Sequence, residues 1–117
     1  MEEQNNKEHL HILWTNADVT TAKLMVMMYA RNAMKNGWWK KVTVIVWGAT
    51  VKLLAENKEL QEELKRAESF GVKFTGCIAC AEELNLVDKM KEIGLDLYKW
   101  GPPLTELIKS GAPLLTI

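Results

Sequence analysis

Two thiols separated by two residues, Cys77-Ile78-Ala79-Cys80, are the side chains of this sequence best suited to chemistry. A thiolate is a strong nucleophile. Where a strand gives way to a helix, a cysteine meets free backbone N–H groups and the helix dipole, both of which favour its ionised form. Cys77 falls at such a junction, so it is the candidate nucleophile and Cys80 its auxiliary thiol. The bland alternative is that both are small apolar core fillers, a common fate of free cysteine. The spacing also fits a thioredoxin-like redox pair, but that motif follows an early strand of a mixed sheet, whereas here it follows a third strand of a sheet that reads as parallel. A zinc site would draw on Cys77, Cys80, His9 and His11, although structural zinc ligands come as compact clusters. The simpler place for the two histidines is the exposed start of the first strand.

The elements that must position the thiols alternate along the chain. Residues 9–14, His-Leu-His-Ile-Leu-Trp, read as a strand that ends in the turn and cap types Thr15, Asn16 and Asp18, with Asp18 the N-cap of the next helix. That helix spans 19–35, with Ala22, Met25, Val26, Tyr29, Ala33 and Met34 as its buried stripe and Asn36-Gly37 as its stop. Leu24, Met27 and Met28 make the opposite side apolar too. One sheet leaves that side nothing to pack on, so it is expected to meet another subunit.

Residues 41–47 form an uninterrupted β-branched run, as in a strand covered on both faces of a parallel sheet. A helix in two parts follows, 50–55 and then a fresh start at Asn57, with Leu60, Leu64 and Ala67 at helical spacing and Glu62 and Arg66 able to pair one turn apart. Gly71 ends it, and a third strand over 72–78 leads into the thiols. Residues 81–93 are helical with a break at Asn85, 95–100 form a short strand, Pro102 and Pro103 open a helix over 104–110, and 114–117 form a fifth strand. This alternation predicts a three-layer αβα sandwich: a five-stranded, mostly parallel sheet, doubly wound in the flavodoxin-like manner.

A chain of 117 residues supports one core, so 9–117 is taken as a single domain and the acidic, amide-rich 1–8 as a disordered lead. The 15 basic and 15 acidic residues cancel, which leaves no electrostatic footprint for nucleic acid or an anionic membrane surface. The longest apolar run, 24–30, is far short of a membrane span. Without a signal-like start, two thiols three residues apart read as cytoplasmic rather than as a disulfide framework.

In an open parallel sheet, ligands gather at the carboxyl ends of the strands. Trp14-Thr15-Asn16, Trp47-Gly48, the cysteine motif and Trp100-Gly101 all fall there, so these residues are the candidate pocket. The competing view is that each tryptophan merely closes the core at a half-wet boundary. Gly48 and Gly101 stand alone rather than in a Gly-rich phosphate loop, and no Ser-His-Asp set can be placed. Nothing in the sequence calls for a cofactor.

From 9 to 117 the chain resembles the DsrE/DsrF-like family of sulfur-relay domains. The resemblance is carried by Trp14-Thr15-Asn16 leading into a Met- and Ala-rich helix, by Phe70-Gly71-Val72-Lys73-Phe74-Thr75-Gly76-Cys77, and by Leu107-Ile108-Lys109-Ser110-Gly111, in that order and spacing. It implies a three-layer sandwich with a five-stranded parallel sheet, and homo-oligomers, trimers or hexamers. It also implies that Cys77 accepts a sulfane sulfur from a donor protein as a persulfide and passes it to an acceptor. Cys80 stands where relay subunits usually carry a small residue, so it either resolves the persulfide, forms a disulfide with Cys77, or only packs. The expected function is therefore a cytoplasmic sulfur carrier of the sulfurtransferase type. Its rivals are a non-catalytic oligomeric protein that binds a small ligand and a Cys-x-x-Cys redox switch.

Overall fold

The computed structural model describes residues 7–117, so most of the expected lead over 1–8 lies outside the described residues. The Glu8 carbonyl accepts the N–H of Lys40 at 3.0 Å and of Lys41 at 3.3 Å, and backbone pairing thus begins ahead of the first strand. Strands β1 (His9–Trp14), β2 (Lys41–Val46), β3 (Lys73–Cys77), β4 (Asp96–Tyr98) and β5 (Leu114–Thr116) form one all-parallel sheet in the order β4-β3-β2-β1-β5. Between them run helices α1 (19–35), α2 (Ala49–Glu56), α3 (Lys58–Ser69), α4 (Ile78–Glu83), α5 (Val87–Ile93) and α6 (Gly101–Ser110). This is the doubly wound, flavodoxin-like αβα sandwich that the alternation of strand and helix patterns predicts. Three crossovers step in one direction and the last steps back past β1. Since parallel crossovers are right-handed, the first three share a face, where α1 packs on α3 and α2 on α5. That leaves α6 alone on the other.

Leu10, Ile12 and Trp14 of β1, Val42, Val44 and Val46 of β2, and Phe74 of β3 meet Val26, Met27, Leu54, Leu60, Leu64 and Met90 in the main core, all of them buried. Each fully buried aliphatic side chain contributes about 1.5–3 kcal/mol. β2 is buried along its length after Lys41, as its unbroken β-branched run requires. Asp18 caps α1 by accepting the Thr21 N–H at 2.8 Å, and Asn57 caps α3 by accepting that of Leu60 at 2.9 Å. The expected break at Asn85 is a residue with φ of 56° between α4 and α5.

The stripe expected on α1 is shifted. Its middle, Ala22–Met27, is π-helical, and the i→i+5 repeat rotates side chains away from their α-helical positions. Met27 is fully buried in consequence, while Met25 is 37% and Leu24 60% exposed. The ion pairs also differ from expectation: Glu63 reaches Arg31 at 3.3 Å, Glu59 pairs with Lys23, and within α3 the pair is Lys65–Glu68 at 3.7 Å rather than Glu62–Arg66. The lateral contact of the two helices brings Lys23 and Arg31 of α1 to Glu59 and Glu63.

The sheet register puts His11 beside Thr43, and Ile45 beside Thr75, on the face that α6 covers. His11 is buried rather than at an exposed strand start, because His9 stacks on it at 4.1 Å and the Trp100 indole meets it edge-on at 6.1 Å. His9 Nε2 lies 2.7 Å from Thr43 Oγ1. His11 Nδ1 is buried without a hydrogen-bond partner among the described residues. Burial first, and the neighbouring His9 second, lower the His11 pKa to about 4.

At the opposite end of β1 and β2 lies Thr50, fully buried in the first turn of α2. Its hydroxyl donates to the Trp14 carbonyl at 2.7 Å and accepts the Trp47 N–H at 3.1 Å. The Trp47 N–H also donates to the Trp14 carbonyl at 3.2 Å, so replacing Thr50 with valine, which keeps the shape, removes two hydrogen bonds but leaves neither backbone group unpaired; urea denaturation should show a loss of about 0.5–1.5 kcal/mol, with Thr50→Ser retaining more of the stability. For His11, both folded and unfolded imidazoles are neutral above pH 6.5. Between 6.5 and about 4 only the unfolded chain takes up the proton. Stability should therefore fall with falling pH across that window, by at most about 1.4 kcal/mol per pH unit from this group. His11→Phe should flatten the profile, and an unchanged slope would show that His11 titrates normally.

Candidate functional site

The turns that follow β2 and β3 stand side by side because those strands are neighbours in the sheet. After β2 the chain reverses at Gly48, whose φ of 68° and ψ of −127° belong to glycine. A Cβ built there meets nothing within 4 Å, so the backbone angle, and not crowding, demands this residue. After β3 the chain enters α4 directly, with Cys77 as its N-cap and Ile78 already helical. The expected third strand over 72–78 is thus shorter at both ends.

Between α2 and α4 lies a cleft of about 600 Å³. Ala17, Gly48, Ala49 and Ala79 carry little or no side chain, which leaves the volume open. Leu53 and Leu84 supply its larger apolar walls, Lys52, Glu56 and Glu83 its charged rim, and Cys80 its sulfur. A concave, largely apolar site of this size with few polar groups is the usual form of a small-molecule pocket.

The two thiols have different surroundings. Cys77 is 4% exposed and does not line the cleft. Cys80, half-buried in the first turn of α4, does line it, and its Sγ accepts the Gly48 N–H at 3.4 Å. Burial pushes the Cys80 thiol above its ordinary pKa, and its hydrogen bond with Cys77 adds to the rise, while the Gly48 amide works against both. At neutral pH Cys80 is a protonated thiol beside a second thiol, able to react on losing its proton or to close a disulfide with Cys77.

Of the residues expected to form the pocket, the structure brings Gly48 and Cys80 into the cleft and leaves the others outside its lining. Trp14 is fully buried in the main core, its indole N–H donating to the Asn16 carbonyl at 3.0 Å. Thr15 and Asn16 are exposed, and their N–H groups donate to the Ile117 carbonyl at 2.7 and 3.1 Å. Trp47 is half-buried beside Gly48. Trp100 folds back over the α6 face, where its indole N–H donates to Thr75 Oγ1 at 3.1 Å, and Gly101 is exposed beside it. The three tryptophans therefore close layers of the fold and do not ring the thiols. No group of three or more His, Cys, Asp or Glu side chains able to hold a metal ion occurs among the described residues, so the histidines and thiols do not assemble a zinc site.

Lys52, Leu53, Glu56, Glu83 and Leu84 were not foreseen. A signal for them exists: Ala79, Cys80, Glu83 and Leu84 lie at i, i+1, i+4 and i+5, one stripe of a helix that begins at the cysteine motif.

No family model matches the chain, and no curated protein does. Among solved structures, it is similar to a conserved protein of unknown function from Bacteroides thetaiotaomicron, with a TM-score of 0.91 and 35% sequence identity over 94% of this chain and 95% of that one. With that identity over nearly the full length of both, the chain belongs to the same family as this Bacteroides thetaiotaomicron protein.

Proposed function

We propose that the protein is a thiol-based carrier of sulfane sulfur, in which Cys80 takes the sulfur and Cys77 is the supporting thiol. The observation that carries the reading is that Cys80 opens into the cleft while its partner is sealed beside it. The resemblance of the chain to DsrE/DsrF-like relay domains supports the same chemistry, with the roles of the two cysteines exchanged. Attack by the Cys80 thiolate on the outer sulfur of a donor persulfide transfers that sulfur and releases the donor thiolate, with no cofactor. A persulfide on Cys80 would sit among apolar walls, with the Cys77 thiol beside it. The two free thiols fit a reducing compartment, in keeping with a cytoplasmic carrier.

A second reading, a non-catalytic small-ligand binding protein, is favoured by one observation: the raised pKa of Cys80 keeps it protonated at rest. A homo-oligomer, a trimer or hexamer, also belongs to the proposal. It would use the outer side of α1, where Leu24, Met25 and Met28 are exposed together.

Incubation with a persulfide donor followed by intact-mass measurement should show one added sulfur on the wild type and on Cys77→Ser, and none on Cys80→Ser. The loading rate should keep rising above neutral pH, because the reactive thiolate appears only near and beyond the ordinary thiol pKa. Absence of added sulfur at every pH, together with slow alkylation of both thiols, would replace the carrier by the binding protein. In light scattering, Leu24→Glu should lower the mass of the assembly to that of a monomer, whereas a wild type already monomeric would remove the oligomer.

A further inference from the structure

The electrostatics and walls of the cleft restrict what can bring sulfur to Cys80. Lys52 is the single cation of its lining against two carboxylates, Glu56 and Glu83, so the formal charge of the rim is negative. On the floor, the Gly48 N–H is already directed at Cys80 Sγ. An anionic donor such as thiosulfate or inorganic polysulfide would meet one cation against two carboxylates on the rim and largely apolar walls within. Hydrosulfide-sized species would also leave most of the 600 Å³ unfilled.

Resting on the carrier reading above, we infer that the donor is a small organic persulfide, R–S–SH, whose apolar R group lies in the cleft between α2 and α4. The R group packs on Leu53 and Leu84 and over Ala79, and this contact brings the outer sulfur to Cys80. The Cys80 thiolate forms an S–S bond to that outer sulfur, and the donor's own S–S bond breaks. The R–S⁻ released takes up the proton that Cys80 gave up. One sulfane sulfur has moved and nothing is oxidised or reduced overall. The apolar cleft thus acts as the specificity element, and the R–SH product leaves by the way the donor entered.

The test compares benzyl persulfide, generated in situ, with thiosulfate and inorganic polysulfide at matched concentration, reading sulfur addition to Cys80 by intact mass. Benzyl persulfide should load at least about tenfold faster than either anion, the scale of discrimination an apolar pocket provides. Leu84 is 40% exposed, so Leu84→Glu tests the wall without burying a charge in the core. It should slow loading by the benzyl donor to near the anionic rate, while the added rim charge should not raise the anionic rate. Ala79→Leu, which fills the cleft from an exposed position, should slow the benzyl donor likewise. Benzyl methyl sulfide, which cannot transfer sulfur, should bind Cys80→Ser saturably by NMR shift perturbation and bind Ala79→Leu weakly or not at all. Equal or faster loading by the inorganic donors, or a preference untouched by both cleft variants, overturns the inference and leaves the carrier standing. Failure of every donor to load Cys80 removes the carrier, and this inference with it.

Discussion

The hydroxyl of Thr50 ties together the parts of the molecule on which the cleft depends. It is wholly buried, donates to the carbonyl that ends β1 and accepts the N–H that follows β2. Two strands and the first turn of a helix are thereby fixed to one atom. Gly48 lies between Trp47 and α2, so the direction in which the chain leaves β2 is set by that bond and by a backbone angle open to glycine. The amide of Gly48 then reaches the Cys80 sulfur across the gap between two crossovers. The same carbonyl and N–H also bond each other at 3.2 Å, so the hydroxyl reinforces a direct backbone link between the ends of β1 and β2.

The layers of the sandwich are unequal for a topological reason. Three right-handed crossovers in one direction must stack their helices on the same face, and one return crossover leaves α6 to cover the other. The first face is accordingly built of Val, Leu, Ile and Met. The second carries His9, His11, Thr43 and Thr75, which need partners rather than mere cover. Trp100 serves both needs there, its ring lying against His11 and its N–H meeting Thr75. Placing the cleft at the end of the well-filled layer means that its walls, α2 and α4, are held by a continuous apolar core beneath them.

Much of this arrangement was legible in the residue pattern. Strand β1 falls where the sequence places it, the β-branched run of β2 announces burial on both faces, and Asp18, Asn57, Asn85 and Gly94 mark helix ends by their side chains or by their tolerance of positive φ. What failed did so for identifiable causes. The π-helical turn of α1 changes the period on which the stripe depends, and no single residue there signals it. The tryptophans were assigned to a pocket from their place at strand ends, but a ring of that size is drawn into whatever layer lacks volume, which strand position does not reveal. The cleft itself is made of alanines and a glycine. An absence of side-chain volume is visible only once the helices that flank it are in place.

The order of the two thiols follows from the same geometry. Cys77 ends a strand whose residues are all buried after Lys73, so its side chain inherits the exclusion from water that the sheet imposes. Cys80 comes one helical turn later, and a turn of helix is what carries the chain from the sheet edge to the wall of the cleft. Burial that raises the Cys80 pKa is therefore inseparable from the apolar walls of the cleft. The same surroundings favour the protonated thiol. The Gly48 amide and the backbone N–H of Cys80 itself favour the thiolate, but burial outweighs them both.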